Sequence, residues 1–365
     1  MTETLLRADD GGSRDRRIRL GLAGVAVLAV LLVVGLSWAK WLPYAEKVRD
    51  LAASRSWSGS ALFLSAGQPG DLPSLAGAWD FTTDYFTAVW KAAVVALVVA
   101  AALDSLVPRQ WTTRMLTRRT ILGQSSVGAL LSLPCMMCTC CTAPVAVGLR
   151  RRGAPLGATL AYWLGNPLLN PAVIVFLALV LPWQYAAVRV LLGALLVVGA
   201  SAYVAGRLDG RSVAPADPDA VTVEGDAPVT WRALPVRFLR SLARFALVLV
   251  PEYVVVVLLT GWLSGWLSDF SGAAARLGVV AVLTAAVVGA LLVIPTGGEI
   301  PVVVAAVAAG AGSGVAGALL VTLPALSLPS IVMVGRALSW KATAAMAGTV
   351  VAGGVLAGGL LAVLV

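Results

Sequence analysis

The sequence predicts an all-α polytopic membrane protein, built as an inverted structural repeat with re-entrant hairpins and proline-interrupted helices. Three observations lead there. Hydrophobic residues make up 59% of the chain and charged residues 12%, outside the range of ordinary soluble domains, and apolar runs near the 20 or so residues that span a bilayer recur along it. Arginines cluster beside those runs, as cytoplasmic loops require. The second half also repeats the proline, glycine and tryptophan spacing of the first. The net charge of +9 is therefore a feature of topology. With no base-reading fold and no aromatic–basic interleaving, no nucleic-acid partner is expected.

The first apolar run, Leu20 to Ala39, follows Arg14, Arg16, Arg17 and Arg19. It is longer than the 7–15-residue core of a cleaved signal peptide and ends in Trp38-Ala39-Lys40-Trp41, so it reads as a retained helix with a cytoplasmic N-terminus. Residues 40–80 show mixed charge and no strong periodicity and read as an external segment, closing a first region, 1–80. Phe81 to Val107 spans inward and delivers Arg109, Arg114, Arg118 and Arg119 to the cytoplasm. Lys91 and Asp104, inside that run, read as side chains that snorkel to the interfaces. The next basic cluster, Arg150-Arg151-Arg152, should be cytoplasmic too, with only the 29 residues from Ile121 to Leu149 between. That is too short for two spans, so a re-entrant hairpin is expected, with its break at "PCMMCTCCTAP" (134–144). All four cysteines of the chain, Cys135, Cys138, Cys140 and Cys141, lie there, in a chain with no histidine. Non-helical backbone at such depth is tolerated only under cover of protein or a water-filled cavity. Ala154 to Leu181 then spans outward and Gln184 to Gly206 returns, ending a first repeat, 81–206. A polar cytoplasmic linker, 207–237, carries Pro215, Asp217, Pro218, Asp219, Glu224 and Asp226 before the second repeat, 238–365.

A shift of 157 residues lays Pro144 on Pro301, Gly153 on Gly310, Gly157 on Gly314, Pro167 on Pro324 and Trp183 on Trp340. Each repeat crosses the membrane three times, and an odd number inverts the second copy. Arg336 and Lys341 then face the cytoplasm. Inverted repeats with interrupted helices are the architecture of secondary transporters, which bind near the midplane at the repeat interface. The interruptions are "GNPLLNP" (165–171) and "LPALSLP" (323–329). Proline removes a donor and frees carbonyls at depth. Asn166, Asn170 and Ser327 are placed to pair with those carbonyls or with a substrate, or to be satisfied internally in a kinked packing helix.

Cys138-Thr139-Cys140 followed by "PVAVGLRRRGAPLGATLAYWLGNPLLNP", with "GGEIPVVVAAVAAGAGSGVAGALLVTLPALSLPS" in the second half, resembles the predicted permeases that include the ArsP-type organoarsenical efflux permeases. The resemblance covers roughly 81–345 without the linker. It implies a permease fold and, for the best-known members, export of trivalent methylated or aromatic arsenicals held by membrane cysteines. Cys138 and Cys140 match the family's Cys-x-Cys pair. Cys135, Cys141 and the intervening Met136 and Met137 depart from that pattern.

The chemistry of the cluster fits such cargo. Thiolates are soft ligands suited to Cu(I) and Zn and, by the same softness, to trivalent arsenic. Two thiols satisfy a monosubstituted arsenical, and inorganic As(III) would take three. A four-sulfur zinc site is awkward with Cys140 next to Cys141. An iron–sulfur or redox relay lacks a partner motif, and small apolar cysteines packing a tight hairpin are the bland alternative. No Gly-Lys-Ser/Thr follows Gly353-Gly354 or Gly358-Gly359, so these read as close helix packing and no nucleotide drive is indicated. Glu299, opposite Thr142 in the repeat, is the candidate proton-coupling residue, because carboxylates at the bilayer centre usually mark pathways; capping a half-helix is its other reading. The expectation is an inner-membrane secondary permease, not an enzyme and without a cofactor, exporting a thiol-reactive solute, foremost a trivalent organoarsenical. A soft-metal exporter and a membrane thiol-redox or sulfur-transfer protein are the alternatives. The lipid bilayer, the solute, protons and a second copy of the chain are the partners to consider.

Overall fold

The computed structural model describes residues 19, 21–57, 74–209, 233–262, 278–308 and 310–365. Every regular element among them is helical. Among the described residues six helices are long and apolar enough to cross a membrane, or seven when one bent pair is counted as a span. Most of the linker and Arg14, Arg16 and Arg17 lie outside the described residues.

Helix α1 (Gly21–Ser54) runs fifteen residues beyond the expected end at Ala39. The chain from Leu42 to Ser54, LPYAEKVRDLAAS, is too charged to register as an apolar run, yet it stays helical with Pro43 directly after the π-turn. A turn of π-helix, Ser37–Trp41, joins the two parts. Arg55, left-handed at φ 49°, ends the helix. Helix α2 (Leu75–Leu106) starts where Ser74 Oγ accepts from the Gly77 amide, and the short α3 (Arg109–Leu116) comes next.

The expected hairpin is present. Its first arm, α4 (Ile121–Ser132), is capped by Thr120. A single 3-10 turn, Leu133–Cys135, carries Pro134, and Met136 takes a left-handed φ of 49° before α5 (Thr139–Arg151) runs back. The thirteen residues of α5 rise about 20 Å, more than half of a hydrocarbon core of about 30 Å. The first broken span is α6 (Leu156–Leu168) followed by α7 (Pro171–Val180), and α8 (Trp183–Leu208) returns with a π-helical stretch at Leu195–Ala200.

The second half is α9 (Leu234–Trp262), α10 (Val279–Leu291), α11 (Glu299–Ala308), α12 (Ser313–Ala325), α13 (Leu328–Ala337) and α14 (Trp340–Leu364). Shifted by 157, the bounds of α6 and α7 become those of α12 and α13. The turn glycines Gly153 and Gly310 share φ 84°, a conformation that L side chains rarely adopt. A close contact is also repeated with its partners exchanged. Gly165 meets the Ser132 hydroxyl in the first half and Gly289 meets the Thr322 hydroxyl in the second. The shift puts Ser132 on Gly289 and Gly165 on Thr322, so one small and one hydroxylic residue fill each crossing.

The two long helices α2 and α9 pack against each other, as do α4 with α6, α10 with α12, and α12 with α14. The hairpins are not equivalent. Helix α5 packs on α2, α6 and α13, whereas its mate α11 packs extensively, among the described residues, on α12 but not on α9 or α7. Helix α7 is instead covered by α1.

Candidate functional site

The break in the first hairpin gathers three of the four cysteines. Cys138 is the N-cap of α5, in extended backbone, which folds its side chain back over the first helical turn. Cys140 and Cys141 lie in that turn. Their sulfurs converge: Cys138 Sγ is 3.1 Å from Cys140 Sγ and 3.2 Å from Cys141 Sγ, and all three lie within 4.8 Å of one another. All are reduced and buried, at the positive end of the α5 dipole. Cys135 is elsewhere, its sulfur 3.3 Å from the Tyr162 hydroxyl and 3.7 Å from the Leu131 carbonyl. The arrangement is thus three plus one, with Cys141 joining the pair expected from sequence and Cys135 left out.

Both repeats reach this cluster. Tyr85 of α2 and Tyr253 of α9 hold their hydroxyls 3.1 and 3.0 Å from Cys140 Sγ, and Tyr253 donates to Tyr85 at 2.8 Å. Thr139 Oγ1 lies 3.2 Å from Ser327 Oγ, the N-cap of α13. Asn166 joins the break to α6, its Oδ1 accepting from the Met137 amide at 3.5 Å and its Nδ2 donating to the Tyr162 carbonyl. Asn170 is spent mainly as the cap of α7, accepting from the Ala172 and Val173 amides. Its buried Nδ2 has no partner among the described residues.

The prolines account for the polar groups beside the cluster. Pro167 cannot donate to the Trp163 carbonyl one turn back, and Thr142 Oγ1 takes that place at 3.3 Å. Pro324 likewise frees the Leu320 carbonyl, which accepts from Arg189 Nη1 at 2.9 Å. Pro171 frees the Pro167 carbonyl, which accepts from Arg189 Nη2 at 2.8 Å, and Leu168 O accepts from Nε at 3.0 Å. Arg189, fully buried on α8, also pairs with Glu299 Oε1 at 2.9 Å. Sequence reading passed over Arg189; the available signal was a lone arginine in the middle of an apolar span. Tyr85 and Tyr253 carried no such signal.

Glu299 occupies the first turn of α11. It lines, with Cys138, Thr296, Pro167, Pro295 and Pro324, a cavity of about 10 Å³ between the broken tips of the two repeats, room for about one water. Its Oε2 is buried and without a partner among the described residues. A larger apolar cavity of about 390 Å³ adjoins the back of the thiol hairpin, lined by Trp41, Tyr44, Pro134, Met136, Pro171 and Val175 among others. Outside the site, Asp104 meets Ser241 and Arg152, and Glu252 meets Arg336.

Three convergent thiols without histidine or carboxylate suit a soft, thiophilic centre of low coordination number. Comparison with known proteins agrees with a transport role. The family described as predicted permease, ArsP_1, matches residues 74–363. The UPF0718 protein YraQ of Escherichia coli (strain K12) is 38% identical over 315 residues, covering 86% of this chain and 87% of that protein. No solved structure matches.

Proposed function

From the premise that the chain belongs to the ArsP_1 family of predicted permeases, and is therefore a multi-pass membrane transporter, we propose that it exports a thiol-reactive solute, foremost a trivalent organoarsenical, across the inner membrane with its N-terminus in the cytoplasm. The observation that carries the reading is the convergence of Cys138, Cys140 and Cys141 at the broken hairpin tip, where both repeats contribute groups. A monosubstituted arsenical, R–As(OH)2, exchanges two As–O bonds for two As–S bonds, and each thiol proton leaves with a hydroxide as water. The third sulfur lies within reach of the bound pair, so an As–S bond passes between sulfurs without release of the cargo. Asn166 and Ser327 hold the tips around the cargo, Asn170 offers its free amide nitrogen, and Cys135 stands one step away beside Tyr162.

Glu299 is the coupling residue in this reading. It lines the same cavity as Cys138 and its Oε2 has no partner among the described residues; there it binds and releases the coupling proton, separately from the thiol protons, which leave in water. Uptake into everted vesicles tests the whole reading. Trivalent methyl- and phenylarsenicals should accumulate, and do so faster with a proton gradient. Accumulation of Cu(I) alone would favour the soft-metal exporter. A change in thiol oxidation with no solute movement would favour the redox protein and rule transport out.

A further inference from the structure

The π-helical turn of α1 brings a buried lysine to the site from outside the matched family region. Lys40 is 8% exposed. Its ammonium donates to Thr296 Oγ1 at 3.2 Å and to Tyr44 OH at 3.1 Å, and it lies over the Tyr44 ring. The adjacent Trp41 donates its indole N–H to the Pro134 carbonyl at 2.8 Å. One turn therefore touches the tips of both hairpins, Pro134 on the first and Thr296 on the second. π-helical turns recur at functional sites because the extra residue redirects neighbouring side chains.

A buried ammonium needs a counter-charge. Among the described residues no carboxylate lies within 4.0 Å of Lys40, and Glu299, three residues from its partner Thr296, pairs through Oε1 with Arg189. The groups facing Lys40 are Tyr44 from its own helix and Thr296 from the second hairpin tip, and Thr296 lines with Cys138 the one-water cavity between the two tips. We propose that Lys40 is the counter-cation of the thiol cluster, holding negative charge on its sulfurs and so making the N-terminal helix part of the binding site. The proposal deepens the reading of the thiols as the site, and its test does not involve transport.

The thiolate, not the thiol, reacts with alkylating agents, so the alkylation rate reports the charge on the cluster. The full-length protein carrying Cys135→Ala, purified in detergent, is treated with N-ethylmaleimide near neutral pH. Lys40→Gln, which keeps a donor for Thr296, and Lys40→Met should each slow alkylation by about tenfold or more, the scale on which a neighbouring opposite charge acts. Lys40→Arg should restore the rate. Native-like rates in the glutamine and methionine variants would overturn the proposal, as would slow reaction in the arginine variant, which indicates packing. Lack of reaction in the native chain, or failure of both neutral variants to fold, would overturn it equally. Normal alkylation behaviour with no arsenical transport would leave Lys40 in its role and remove only the assigned cargo.

Discussion

Arg189 compensates for the prolines that stand inside the membrane helices. Each proline leaves a carbonyl one turn back without its donor, and in hydrocarbon no water replaces it. Arg189 collects three carbonyls at the two broken spans and pairs with Glu299, tying the repeats together. Removing one partner of such a pair strands the other. Arg189→Met should therefore lower stability by about 3–5 kcal/mol, seen as a lower unfolding midpoint of the purified protein. Glu299→Gln separates two roles. As a mere first-turn residue of α11 the amide would transport with unchanged pH dependence; as the coupling carboxylate it should lose gradient-driven uptake while still binding cargo, and flux measured with and without a gradient distinguishes them. At this scale the sequence showed which residue types mattered but not their grouping. Cys141 joins Cys138 because an N-cap side chain folds over the first turn, a geometry that needs the helix start to be known. Asn170, whose Asn-Pro step was visible, spends its carbonyl oxygen on a cap.

Broken helices are the elements on which the site depends, and they were legible for a simple reason. The interval between two arginine clusters was too short for two spans, and Pro134, Pro167 and Pro324 marked where the backbone gives way. Helix α1 was less legible. Its apolar run stops at Ala39, and nothing in the charged stretch after it announces fifteen more helical residues, because their contact with α7 comes from packing and not from periodicity. The breaks carry an expected outcome of their own. Pro324→Ala returns an amide donor to the Leu320 carbonyl and so competes with Arg189 Nη1. Straightening α12 into α13, now bent by 44°, should pull Ser327 from Thr139 and cut transport severalfold while leaving the protein folded. Transport equal to the native rate, with normal stability, would mean that the bend does not shape the pathway.

Across the whole molecule, the 157-residue repeat relates elements but not their packing. The thiol hairpin is enclosed by α2, α6 and α13, and its mate α11 rests, among the described residues, mainly on α12 while α1 packs on α7. The inverted topology has its own check. Single cysteines at Arg151 and Ala311, in a background lacking the native four, should react with an impermeant maleimide from opposite faces, and labelling from one face would contradict the inversion. The repeat was legible because prolines, glycines and a tryptophan keep register where apolar residues drift; the unequal hairpins were not, because packing partners leave no spacing to read. The most direct test of the account is arsenical uptake by everted vesicles carrying single serine substitutions in the cysteine cluster. Cys138→Ser, Cys140→Ser and Cys141→Ser should each reduce uptake of a trivalent methylarsenical at least tenfold, and Cys135→Ser should leave most of it. Undiminished uptake by the double variant Cys138→Ser with Cys140→Ser would contradict the account and make the sulfurs part of the packing alone.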